Sequence, residues 1–452
     1  MQRRQFLTLF GTGLATAGLP RPVFAQSSLE TLPLRGAVSA PTYGVMPNAG
    51  TDQSVAFQQM LDRASARGEP VFLPAGYYVV GDINLPDGVV VTGVPGQTIL
   101  VLGTGKSILR AMETNTVHLS HIVLDGGAAR PGAGPLLFAS DVTDLTLASC
   151  RFRRSATDAV ELSRVSGKIV GCKFTEAKRF GLFSVDGRGL DIDRNTVSDC
   201  ADGGIIVHRS RVGDDRTRIT GNRIRKIAAR SGGTGQWGNG INVYRADNVV
   251  VSDNMIADCA FSSIRANTTR NIQISGNRCE HSGETAIYAE FSFENAIIAD
   301  NLITGGANGI SVTNFNEGGR GATVSSNIVR NLTGKGPYPA MAPGFGIGIA
   351  VEADSVVAGN LIDGAPLFGI NAGWGSHLRD VVVQANVIRN AGIGIGVSRA
   401  DGVGQIIVAS NLIDARNGAI KTHRWTEIDA TDFAVSPASA PTHIKLSGNK
   451  LA

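Results

Sequence analysis

Charge is scarce in this chain, with Asp, Glu, Lys and Arg making up only 18% of its 452 residues. Aromatic residues are scarcer, at 6%, and there are only five cysteines. An odd cysteine count with no C-x-x-C spacing indicates neither a disulfide framework nor a zinc site. After the first thirty positions no run of 18 or more apolar residues occurs, so no membrane-spanning helix is expected in the mature chain. Glycine is plentiful at 57 residues, yet it follows no three-residue period, which excludes collagen.

What is present begins with an address. Arg3-Arg4 is followed by Phe6-Leu7, a Gly- and Ala-softened apolar stretch to Leu19, and the small-residue site Val23-Phe24-Ala25. This pattern predicts a twin-arginine signal peptide over 1–25 and a periplasmic or secreted protein. An ordinary secretory signal with two chance arginines is the alternative. Hydrophobic residues make up 42% of the chain, enough for a large core. Formal net charge is +4, unevenly spread, since residues 151–230 hold 18 Lys and Arg against 10 Asp and Glu. A basic patch on an exported protein points to acidic glycans before nucleic acid.

The fold follows from a repeat. An apolar residue, two spacers, a slot residue, a spacer and an apolar residue recur, as in Val251…Asn254…Ile256, Ile274…Asn277…Cys279 and Ile298…Asn301…Ile303. The slot holds Cys150, Cys172, Asn195, Asn222, Asn254, Asn277, Asn301, Asn327, Asn360, Asn386, Asn411 and Asn449, twelve copies about 27 residues apart. Eight or nine residues after most slots comes a Gly-led strand such as Gly204-Ile205-Ile206-Val207 or Gly240-Ile241-Asn242-Val243. Each repeat is too small to bury its apolar side alone, so stacking at about 4.8 Å per turn into parallel sheets is the stable solution. The expected fold is all-β, a right-handed single-stranded parallel β-helix over 71–452. Asn suits the corner because it tolerates a left-handed backbone and its amide can hydrogen-bond up the stack. The cysteines read as stacked buried thiols, with a Cys150–Cys172 disulfide as the alternative.

Residues 26–70 are expected to carry a capping helix. From Asp52 or Ser54 as cap, Val55, Met60, Leu61 and Ala64 are placed on one face, ending at Gly68, and Val71-Phe72-Leu73 opens the first strand. This front end, Tyr43-Gly44-Val45 through Pro70-Val71-Phe72-Leu73-Pro74-Ala75-Gly76, resembles the pectate-lyase-like β-helix superfamily. The resemblance is to the branch shared by polygalacturonases, mannuronan epimerases and phage tailspikes. With its signal and Asn repeats the chain also resembles twin-arginine-translocated β-helix repeat proteins. The superfamily's catalytic signatures are missing: no Asp-Asp followed by Gly-His-Gly, no Asp-Pro-His-Asp, no Arg-x-Pro-x-x-Arg. None of those roles can be transferred.

A site must therefore be built from register. If Ile and Val of each Gly-Ile-x-Val strand point inward, one outward row is Ile206, Asn242, Arg265, Tyr288, Ser311 and Ala350. The next is His208, Tyr244, Asn267, Glu290, Thr313 and Glu352. Two insertions leave the same corner four turns apart, Ser231–Asn239 with Trp237 and Lys335–Phe345 with Tyr338, and are expected to wall a groove. Arg265, Tyr288, Tyr244, His208 and Glu290 are the candidate catalytic residues; Asn242, Asn267, Trp237 and Tyr338 are the candidate sugar contacts. Tyr or His would move a proton beside a uronate carboxylate and Arg265 would hold the developing charge. That favours a lyase or epimerase on an acidic polysaccharide. Non-catalytic glycan binding, or inverting hydrolysis using Glu290 and Glu352 about 9.6 Å apart, are the alternatives. As outward residues, the catalytic candidates should be replaceable at little cost in stability. No nucleic-acid or membrane partner is expected after signal removal, and the sequence specifies no metal, cofactor or oligomeric state.

Overall fold

The computed structural model describes residues 36–127, 132–339 and 343–452, so the signal segment expected at 1–25 lies outside the described residues. The chain winds as a parallel β-solenoid with three short strands to a turn. One such turn comprises Thr285–Glu290, Glu294–Ala299 and Leu302–Thr304. Strands of the third kind form one 15-stranded sheet. Those of the first and second kinds join into a 29-stranded sheet, because Leu109–Ser120 and Leu137–Ala148 run across the corner unbroken. Every strand pairing is parallel except the small hairpin of His423–Arg424 with Glu427–Ile428. Alternation does the packing: in Ile264–Asn267 the buried Ile264 and Ala266 alternate with partly exposed Arg265 and Asn267. Their inward partners stack rung on rung into one continuous core.

The slot Asn residues form an unbroken ladder. From Asn195 to Asn411, the backbone N–H and the side-chain Nδ2 both donate to Oδ1 of the next slot Asn, at 2.9–3.1 Å. Nδ2 also donates to a carbonyl of the rung below, as Asn277 does to Val251 at 3.0 Å. Cys172 joins the ladder through its backbone N–H, 2.8 Å from Asn195 Oδ1. The left-handed corner is not the Asn itself but the residue before it: Arg194, Gly221, Asp253, Gly276, Asp300 and Ser326 all have φ between 52° and 68°. The corner turns one residue early, which aims the amide into the core. All five cysteines are buried and free, so Cys150 and Cys172 are stacked thiols without a disulfide.

Three rungs precede the first slot. Register places Gly76, Thr98 and Ile122 where later turns carry Cys or Asn. A spacing search on Asn and Cys passes over them. The core of these first turns is closed by the helix Ser54–Ala66, whose N-cap is Gln53, without a side-chain cap, rather than the expected Asp52 or Ser54; Asp52 Oδ1 accepts the Ser54 N–H at 2.8 Å just ahead of it. Its buried side is Phe57, Met60, Leu61 and Ala64, whereas Val55 is exposed. Phe57 takes the place expected for Val55 because 57, 60, 61 and 64 follow the i, i+3, i+4, i+7 spacing. Among the described residues no helix is long and apolar enough to cross a membrane.

Candidate functional site

The register of the first-kind strands brings the expected rows together. Ile206 pairs with Asn242, Asn242 with Arg265, and Arg265 with Tyr288; His208 pairs with Tyr244, Tyr244 with Asn267, and Asn267 with Glu290. The face is roofed, however. Residues 231–239 lie over it so closely that a Cβ on Gly235 would meet Arg265 Nη1 at 2.2 Å. The Asn239 amide pins that segment through the Gly235 carbonyl at 2.8 Å. As a result the Arg265 side chain is 13% exposed and that of Glu290 only 3%. The two form an ion pair, and Asn267 Nδ2 donates to the same Glu290 oxygen at 2.9 Å. Outward on the strand does not mean open to solvent here. Burial of this pair weighs against the expectation that Arg265 can be replaced at little cost.

His208 stands edge-on between Phe183, at 5.6 Å, and Tyr244, at 5.4 Å. Burial pushes it down to about 4, so the imidazole is neutral at pH 7. Tyr244 carries the Arg245 guanidinium on its other side, 4.7 Å from the ring centre. Asn242 is buried beneath. The two loop aromatics lean onto the protein and do not face each other across an open groove. Trp237 tilts against Phe180 at 5.6 Å, and Tyr338 against Phe345 at 5.5 Å.

A cavity of about 340 Å³ lies further along, over the strands Thr285–Glu290, Asn308–Val312, Ile347–Val351 and Phe368–Ala372. Tyr338 and Phe345 roof it and Trp374 closes one end. Two carboxyl groups line it, Glu284 and Glu352, both buried. Glu284 Oε1 accepts the Tyr338 hydroxyl hydrogen, while Oε2 is buried with no protein partner. Burial raises the Glu284 carboxyl above the usual range, against the opposing pulls of the Tyr338 hydrogen bond and the Arg265 charge. Tyr288 also lines the cavity, its phenol pushed up to about 12 by burial, with the Arg265 guanidinium 5.8 Å from its ring centre. No Lys, Arg or His is among the lining residues.

Asn371 extends this surface one rung beyond Ala350. Its Nδ2 donates to the Gly373 carbonyl at 3.2 Å, leaving Oδ1 to accept from His423 Nε2 at 2.9 Å. Burial drives His423 down to about 4, so it is a neutral donor, packed on Trp374 at 5.7 Å. Glu284, Trp374 and His423 escape a sequence reading, which places Asn371 on the outward face but gives it no role. Glu284 precedes its strand and so belongs to no outward row. Gly373 and Gly396, further along the outward rows, are space that larger side chains occupy; a Cβ on Gly396 would sit 3.1 Å from Asn371 Oδ1. Glycine in an otherwise side-chain-bearing row was the available signal.

Together these features define a right-handed parallel β-helix with a roofed cavity on its first sheet face. Residues 211–388 match the family described as "Right handed beta helix region". No curated protein matches the chain. The N-terminal fragment of gene product 12 of bacteriophage phi29 has the same fold, with TM-score 0.56, 15% identity and coverage of 92% of this chain and 70% of that one. Weaker likenesses include the A-module of an Azotobacter vinelandii mannuronan C-5 epimerase, at TM-score 0.31 and 15% identity, covering 92% of this chain and 99% of that one. A thermostable alpha-1,3-glucanase catalytic unit from Streptomyces thermodiastaticus has TM-score 0.40 and 13% identity, covering 92% and 69%. At these identities the likeness concerns the fold alone.

Proposed function

We propose that this is an exported, carbohydrate-active β-helix that holds a sugar in the roofed cavity and cleaves the glycosidic bond beside it. The observation that carries the reading is Glu284. It is a buried carboxyl raised above its usual range, with one oxygen unpartnered, facing a cavity that a second carboxyl, Glu352, also lines. Glycoside hydrolysis needs a carboxylic acid to protonate the leaving oxygen, the role Glu284 would fill. Glu352, in register with Glu290, stands two rungs on and six strand positions along, about 20 Å away in the strand direction, and does not serve the same bond. Trp374, Tyr338 and Phe345 supply apolar faces for sugar rings, and Asn308, Asn314 and Asn371 supply hydroxyl partners. The absence of a lining cation favours a neutral sugar here over a uronate. Export rests on Arg3-Arg4 and the apolar segment after it.

A lyase or epimerase acting on an acidic glycan keeps one supporting observation, the Tyr288 phenol beside the Arg265 guanidinium. For that chemistry Glu290 would have to release Arg265 so that it could meet a carboxylate. Incubating the protein with neutral and uronate-containing oligosaccharides separates the readings. New reducing ends without ultraviolet-absorbing unsaturation support hydrolysis, and unsaturated products support a lyase. Binding without turnover of any oligosaccharide would sink both and leave a glycan-binding solenoid.

A further inference from the structure

A second pocket, of about 510 Å³, opens several rungs from the cavity, at the corner where first-kind strands hand over to second-kind strands. An irregularity in one strand builds it. Gly203–Asp214 pairs His208 with Tyr244 and then Gly213 with Ala246, so five steps on one strand answer two on its neighbour. The three surplus residues throw Arg209–Val212 outward as a bulge. Asp186 holds the bulge, accepting the Ser210 N–H at 2.9 Å and the Ser210 hydroxyl at 2.9 Å.

The charges around this pocket do not balance. Five arginines line it against three aspartates. Arg164 is paired with Asp141 and Arg216 with Asp214. Asp214 also accepts from Asn248 at 2.6 Å, and the buried Asp215 from the Thr217 hydroxyl at 2.5 Å. Arg188 and Arg211 enter no ion pair among the described residues. Arg209 donates to the Gly187 carbonyl at 3.0 Å and lies 3.6 Å from Asp215, but its Nε is buried with no partner. Arg188, Arg209 and Arg211 thus border one opening with N–H donors to spare, which an anion entering it could take up.

We propose that this pocket binds a single oxyanion substituent, a carboxylate or a sulfate ester, carried on an acidic glycan. Guanidinium forks match both groups in geometry and charge. Three aspartates in the same wall suit one substituent and disfavour the continuous phosphate track of a nucleic acid. The pocket flanks His208, and Glu352 of the cavity stands five rungs further along the same row, about 24 Å at about 4.8 Å per rung. A glycan laid along the rungs would reach both. The inference takes its carrier from the glycan reading above but not its site.

Calorimetric titration of the whole protein with an oligouronate, a sulfated oligosaccharide and their neutral parents tests it, alongside an Arg188→Ala/Arg211→Ala variant. Both residues are exposed, and an unchanged melting curve confirms that the variant is folded. At least one acidic ligand should bind more tightly than its neutral parent and lose about tenfold or more in the variant. Neutral ligands should be unaffected. Which acidic ligand responds identifies carboxylate or sulfate. An acidic ligand whose affinity the variant leaves unchanged, or none that outbinds its neutral parent, overturns the assignment. Failure of the cavity reading would show separately, as neutral ligands that do not bind the unaltered protein.

Discussion

The Tyr338 hydroxyl donates a hydrogen bond to the Glu284 carboxyl, 54 residues earlier in the chain. The contact ties the roof of the cavity to its floor and sets the acid's strength. Burial raises the carboxyl; a donor to its charged form lowers it. If Glu284 is the proton donor, Glu284→Gln should cut turnover by about 10²–10⁴-fold while binding persists. Activity should decline as pH rises through the raised Glu284 value, because the donor is lost on ionisation. Tyr338→Phe removes the lowering contribution, so the alkaline limb of the kcat/KM profile should move to higher pH. A limb that stays in place or moves down would show that Tyr338 does not tune the acid.

Arg265→Ala should destabilise the fold by about 3–5 kcal/mol, since it strands a buried Glu290. Adding Glu290→Gln should restore a large part of that loss. Denaturant midpoints of the two single variants and the double variant measure it. A cost near 0.5 kcal/mol, the range for a surface change, would mean that the pair is solvated after all.

Asn277→Ala should cost about 2–3 kcal/mol without altering ligand binding. Asn277 Oδ1 accepts from Asn254 twice, at 3.1 and 3.0 Å, and both donors would be left without that partner in a buried corner. The same substitution at Asn449 should cost less, because that Asn ends the ladder and is only partly buried. Equal losses at the two positions would contradict a role for the ladder in corner satisfaction.

Two histidines make the fold acid-sensitive. His208 and His423 are each held at about 4 by burial, below the ordinary value of 6.5. The unfolded chain therefore binds more protons than the folded one between those values. Their stabilising contribution is present above about pH 6.5 and is lost as pH falls toward 4. Unfolding free energy measured across that window should drop with acidification. The slope should be shallower in His208→Phe and in His423→Gln. Parallel slopes for all three proteins would place the sensitivity in other groups.

The repeat, the parallel stacking and the register of the outward rows were all legible in the residues. Each is a local periodicity: apolar residues two apart, a slot at about 27-residue intervals, a glycine opening most of the first-kind strands. The rows running Asn242, Arg265, Tyr288 and Tyr244, Asn267, Glu290 are as the pattern implied. So is the short helix ahead of Val71, though with Phe57 in the place given to Val55. What local periodicity cannot carry is where an irregular segment comes to rest. Residues 231–239 fold down onto Arg265, and Tyr338 reaches Glu284, because apolar rings and unpaired polar groups find partners one or two turns away that no local period specifies. Those contacts buried an outward row, moved the cavity toward Asn371 and Trp374, and raised the carboxyl of a glutamate outside every repeat. A strand's pleat decides which way a side chain points; only the assembled solenoid decides whether it meets water, a sugar or another part of the chain.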